Sequence, residues 1–156
     1  MLITSISGIR GTIGGVPGDG LTPPDVVKFA TGYARWILEA TNQRPTVVVG
    51  RDARVSGELL RDLLVGTLNA SGVDVIDLGL STTPTVELAV PAEQADGGII
   101  LTASHNPWQW NALKLLDSNG EFLSAAEGER VLELACVPQE YAEVGGIGKI
   151  YRRTDW

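Results

Sequence analysis

PTVVVGRDARVSGELLRDLLVGTLNASGVDVIDLG, residues 45–79, holds a complete strand–helix–strand unit. Val47 to Val49 form a continuous β-branched run closed by Gly50, the pattern of a strand buried on both faces. The polar stretch 51–58 reads as a loop, with Ser56 placed to cap the helix that follows. Leu59, Leu60, Leu63, Leu64 and Leu68 recur at helical spacing, and Gly72 is placed to end that helix. VDVIDLG (73–79) then alternates apolar and polar residues, as a strand does.

The same alternation continues in both directions. Downstream, the spacing predicts a helix over about 85–93, a buried strand GGIILTA (97–103), a strand ALKLLDS (112–118), a turn at Asn119-Gly120 and a helix over 124–137. The tail GGIGKIYRRTDW reads as one more short extended piece. Upstream, Thr22 is a good N-cap, Pro23 suits the first helical position and Asp25 stands three residues after the cap. Val26, Phe29, Ala30, Tyr33, Ile37 and Leu38 give that helix one apolar face. Before it come a short strand LITSI (2–6) and a glycine-rich turn running from Gly8 to Gly20. Strands and helices in alternation predict one α/β domain, a three-layer α/β/α sandwich on a mostly parallel or mixed sheet of about four strands.

Composition narrows the function. The 156 residues carry a net charge of −7, which argues against nucleic acid or an anionic membrane as partner, because phosphate backbones are held by Lys and Arg. A local positive pocket for a small phosphorylated substrate remains compatible with that balance. The single cysteine, Cys136, cannot form an internal disulfide or a Cys-rich metal site and fits a reducing compartment. No apolar stretch approaches a membrane span and no signal-peptide pattern opens the chain, so the expected location is cytoplasmic.

In open α/β sheets, ligands gather beyond the carboxyl ends of parallel strands. Four polar clusters follow predicted strands: Ser7 to Gly11, Arg51 to Arg54, Ser81 to Pro84, and TASHNP at 102–107. In an extended segment the side chain of His105 points away from that of Ser104, and no G-x-S-x-G elbow is present, so a serine hydrolase fits poorly. Ser104 as a site that holds a phosphoryl group fits better, with Arg10, Lys114 and Arg51 as sources of positive charge if the loops converge. Plainer readings stand beside these. SHNP makes a good turn, 51–54 a local ion-pair cluster that positions its loop, Lys114 an edge-strand gatekeeper, and Trp108 and Trp110 packing or interface residues. The glycine-rich stretch matches no nucleotide-binding pattern.

TASHNP, followed by Trp110-Asn111 and Lys114, together with SGIRG, GRDAR before SGE, TTP after a strand and NG before the last helix, resembles the first domain of the α-D-phosphohexomutases. That family includes phosphoglucomutase, phosphomannomutase and phosphoglucosamine mutase. The resemblance implies that Ser104 is a phosphoserine that gives its phosphoryl group to a bound hexose phosphate. The bisphosphate sugar then turns over and returns its other phosphate, moving phosphate between C1 and C6. It implies Mg²⁺ on a phosphoserine oxygen, a hexose 1,6-bisphosphate as activator and intermediate, Arg10 and Lys114 beside the phosphoryl group, and His105 and Asn106 as pocket residues. The sequence departs from the family pattern in Thr4-Ser5-Ile6 where FGT is common, in Ala112 where glycine is usual, and in Trp110 where tyrosine is common. Family members have four domains, and their D-x-D-x-D metal cluster, sugar-recognition loop and last phosphate loop have no counterpart in this sequence. Residues 1–156 are therefore expected to be the first domain of a longer enzyme, inactive alone, whose partners are its remaining domains and the sugar phosphate. A non-catalytic phosphate- or partner-binding module of the same fold is the alternative.

Overall fold

The computed structural model describes residues 1–5 and 8–156. Its strands are β1 (Leu2–Ser5), β2 (Gly8–Thr12), β3 (Thr46–Arg51), β4 (Asp74–Leu80), β5 (Gly97–Leu101), β6 (Trp110–Leu116) and β7 (Ile150–Arg152). Its α-helices are α1 (Pro23–Ala40), α2 (Gly57–Ala70), α3 (Thr83–Ala92) and α4 (Ala125–Ala135). Among the described residues the strands form a single seven-stranded sheet, ordered β1-β2-β6-β5-β3-β4-β7.

This corrects the expected four strands. β5, β3, β4 and β7 run parallel, whereas β1, β2 and β6 pair antiparallel. The added strand β2 lies inside the stretch read as a glycine-rich turn. Glycine is required there because Gly8 sits at φ +147°, and a Cβ on it would drive into the Leu113 carbonyl of β6. Such residues give no apolar–polar alternation by which a strand could be read. Ile6 and Ser7, which the sequence places at a strand end and a loop start, lie outside the described residues.

One sheet face is covered by α1, α2 and α4. There Ile9, Val49, Ile99, Leu101, Leu113 and Leu115 meet Val26, Tyr33, Leu64 and Val131 in the main core. The other face carries only α3, which packs on β3 and β5 through Val86, Ala89 and Val90. Its β1-β2-β6 half therefore stays open, and Arg10 and Lys114 lie on it.

α1, α2 and α4 start where the sequence says, whereas α3 starts at Thr83, two residues before the expected Thr85, because Thr82 caps it by accepting from the Thr85 amide. Thr22 and Asp25 make a capping box at α1, and Ser124 and Glu127 make another at α4. Ser56 differs: it makes no side-chain cap bond to α2, because its hydroxyl accepts from the Asn111 amide at 2.9 Å. Leu38 and Leu59 also depart from the expected faces and are exposed at 39% and 52%.

Buried Tyr33 reaches from α1 to the sheet and donates to the Leu116 and Gly98 carbonyls at 2.7 and 3.2 Å. Those residues face each other across the β5–β6 pair, and Gly97 leaves the phenol its room. Tyr33 thus ties together the two strands that lead to Ser104 and carry Lys114.

Candidate active site

Three of the four polar clusters share one rim. The segments after β3, β4 and β5 leave the carboxyl ends of parallel strands. The first cluster does not join them as a loop, since Gly8 to Gly11 are built into β2. Arg10 nevertheless reaches the site by register. It lies opposite Ala112, and Gly8 lies opposite Lys114, so Arg10 and Lys114 share the open face of the sheet. Both line a cleft of about 160 Å³ with Ser5, Gly8, Ala112 and Leu113. The Arg10 guanidinium stands 5.9 Å from the centre of the Trp110 ring, within cation–π range.

Lys114 is no edge gatekeeper: β6 lies between β2 and β5. Its Nζ donates to the Ser104 hydroxyl at 2.6 Å. Ser104 is exposed and takes a φ of +53°, a left-handed conformation that a non-glycine residue adopts only under constraint.

The rest of the loop is held by its backbone. The Asn106 amide donates to the Ala103 carbonyl at 3.0 Å, and the Trp110 amide to the Pro107 carbonyl at 3.0 Å. Asn106 is half-buried, His105 is exposed beside Ser104, and Trp108 is 78% exposed. Arg51 is not brought to the Ser104 hydroxyl; its guanidinium turns to the Asp52 carbonyl at 3.2 Å.

The ion-pair reading of 51–54 holds for Asp52 and Arg54, which meet at 3.3 Å. What they position lies about fifty residues away in sequence. Arg54 donates to the carbonyls of Ser104, Asn106, Pro107 and Trp110 at 2.8 to 3.0 Å. Asp52 accepts the Thr102 hydroxyl at 2.6 Å, and that hydroxyl accepts the Ser104 amide at 3.1 Å. Thr102, Asp52, Arg54 and the fully buried Asn111 were not singled out by sequence for these tasks, since no local spacing signals a partner so distant. Among the described residues no group of three His, Cys, Asp or Glu could hold a metal, and Asp52 is committed to Thr102 and Arg54.

Residues 2–139 match the family model "Phosphoglucomutase/phosphomannomutase, alpha/beta/alpha domain I". The chain belongs to the phosphoglucomutase/phosphomannomutase family. A family relative from Thermococcus kodakarensis, named phosphoglucomutase/phosphomannomutase, is 42% identical over 93% of this chain and 32% of its own length. A phosphoglucosamine mutase from Acidovorax sp. strain JS42 is 37% identical over 95% of this chain and 32% of its own. A solved phosphoglucomutase/phosphomannomutase family protein from Burkholderia thailandensis matches with a TM-score of 0.76 at 25% identity, over 97% of this chain and 33% of its own. The chain thus spans about a third of the length of these family relatives. No helix among the described residues is long and apolar enough to cross a membrane.

Proposed function

We propose that this chain is the phosphoserine-bearing first domain of a longer hexose-phosphate mutase that moves phosphate between C1 and C6 of the sugar. The supporting observation is the 2.6 Å hydrogen bond from Lys114 to the Ser104 hydroxyl, on an open face that Arg10 shares. Phosphoryl transfer asks little covalent help and much charge neutralisation around the transferred group and the leaving oxygen.

In the proposed reaction the Ser104 Oγ–P bond breaks as a hydroxyl oxygen of the bound hexose phosphate bonds to phosphorus. The hydroxyl proton leaves to a base. Lys114 stabilises the negative charge left on Oγ and can supply its proton, and Arg10 faces the phosphoryl oxygens. The hexose 1,6-bisphosphate so formed turns over, and its other phosphate returns to Oγ by the same exchange. His105 and Asn106, next to Ser104 in the chain, would serve as pocket residues, and Arg51 would add positive charge at the rim. Mg²⁺ would bind a phosphoryl oxygen on Ser104 and supply further charge neutralisation. Its remaining ligands would come from other domains, because Asp52, which bonds the loop at Thr102, is already committed.

Incubation of the full-length enzyme with glucose 1,6-bisphosphate and Mg²⁺, followed by intact mass and peptide mapping, tests this reading. One phosphate on Ser104, absent from Ser104→Ala, is expected. Phosphate carried elsewhere, or no phosphate acquired, would overturn it.

A further inference from the structure

The bonds around Ser104 close into a circuit. The Ser104 amide donates to Thr102 Oγ1, that hydroxyl donates to Asp52 Oδ2, Arg54 Nε donates to the same carboxylate oxygen, and Arg54 Nη2 returns to the Ser104 carbonyl. The N–H and the C=O of one residue are thereby tied to a single carboxylate. The Arg54 backbone amide holds the other oxygen of that carboxylate at 3.1 Å, so Asp52 is itself fixed. The Arg54 side chain is only 12% exposed, and its three remaining carbonyl partners span the loop from Asn106 to Trp110.

A turn alone does not need this. Left-handed serine costs about 1–3 kcal/mol and persists only where the surroundings over-determine it. Here the Ser104 amide is held by Thr102, itself anchored on Asp52, and the Ser104 carbonyl by Arg54 from outside the loop, in the conformation that presents Oγ to Lys114.

We propose that Thr102, Asp52 and Arg54 are positioning residues that clamp Ser104 in the left-handed conformation and so set the rate at which its hydroxyl exchanges phosphate. They act through the Ser104 backbone and touch no substrate. The rate claim rests on the mutase reading; the clamp itself does not.

Thr102→Val removes the hydroxyl with little change of shape, Thr102→Ser keeps it, and Arg54→Lys keeps the charge but loses the planar fork that serves several carbonyls at once. The assay, run in the full-length enzyme, is phosphate transfer to Ser104 from glucose 1,6-bisphosphate, with the saturating rate separated from the half-saturating concentration. Thr102→Val and Arg54→Lys should lower the saturating rate about 10- to 100-fold, as misplacement of a reacting group by about 1 Å does. The half-saturating concentration should stay within about twofold. Thr102→Ser should recover most of the rate, and the double variant should be little worse than the weaker single, because both break one circuit. Parental rates in both single variants, additive losses, or losses that merely follow the melting temperature would overturn the proposal.

Deuterium uptake across 102–110 tests the clamp without any turnover. Faster uptake in both variants at an unchanged melting temperature supports it, and parental uptake overturns it. A full-length parent that acquires no phosphate yet shows this uptake pattern would sink the mutase reading and leave the clamp standing.

Discussion

Tyr33→Phe offers a test of the tie between α1 and the two strands of the site. Burial pushes the Tyr33 phenol well above its ordinary range; the hydrogen bond to the Gly98 carbonyl opposes this, and the Asp117 and Asp96 charges add to it. The sign follows. In the unfolded chain the phenol ionises near pH 10, while in the folded chain it stays neutral. The stabilisation is therefore complete below about pH 10 and falls away as pH rises above it, by about 1.4 kcal/mol at pH 11. At pH 7, Tyr33→Phe takes the donor from two carbonyls, at 2.7 and 3.2 Å, and leaves them in a dry core, a loss of about 1–3 kcal/mol. The aromatic ring and its contact with Trp36, 5.8 Å between centroids, remain. Urea unfolding followed by tryptophan fluorescence, at several pH values up to 11, reads both effects. The parent should be the more stable at neutral pH, and its advantage should shrink by about 1.4 kcal/mol between pH 9 and 11. Other tyrosines and lysines cancel in the difference. An advantage unchanged over that interval would refute the reasoning.

Two further outcomes are expected. Gly8→Ala must adopt φ +147° and meet the Leu113 carbonyl, so it should lower stability by roughly 2 kcal/mol or more, seen as an earlier urea midpoint; a parental midpoint would contradict the close β2–β6 approach. Lys114→Met keeps the apolar stem but removes the ammonium from Ser104. In the full-length enzyme, phosphate incorporation at Ser104 should slow by about 100- to 1000-fold with a melting temperature close to parental, and parental incorporation would remove Lys114 from the reaction.

Much of the fold was legible because its signals are local. The apolar run at 47–49 became β3, and the Thr22-Pro23-Asp25 cap opened α1 at Pro23. The helix expected over 124–137 became α4, and Asn119-Gly120 made its turn with Gly120 at φ +78°. What failed to show were features whose cause lies far along the chain. β2 is a strand because β1 and β6 pair with it, and its glycines answer to a neighbouring backbone. Ser56 looked like a helix cap, but Asn111 competes for its hydroxyl.

The candidate site divides in the same way. The residue types at 102–107, with Lys114 downstream, mark out a hydroxyl beside a cation, because hydroxyl, amide and ammonium groups placed after a buried strand are legible one by one. Their meeting is not. Lys114 reaches Ser104 because an antiparallel β6 returns alongside β5, setting Lys114 opposite Ile100. Arg54 reaches the same loop because β3 and β5 are parallel neighbours whose ends share a rim. Sequence by itself determined the layered α/β class, the starts of α1, α2 and α4 and the chemical groups on offer, since these depend on side-chain period and local capping. Tertiary structure alone decided the sheet order, the open face, and which cation meets which oxygen, since hydrogen-bond partners about fifty residues apart are chosen by strand register and not by spacing along the chain.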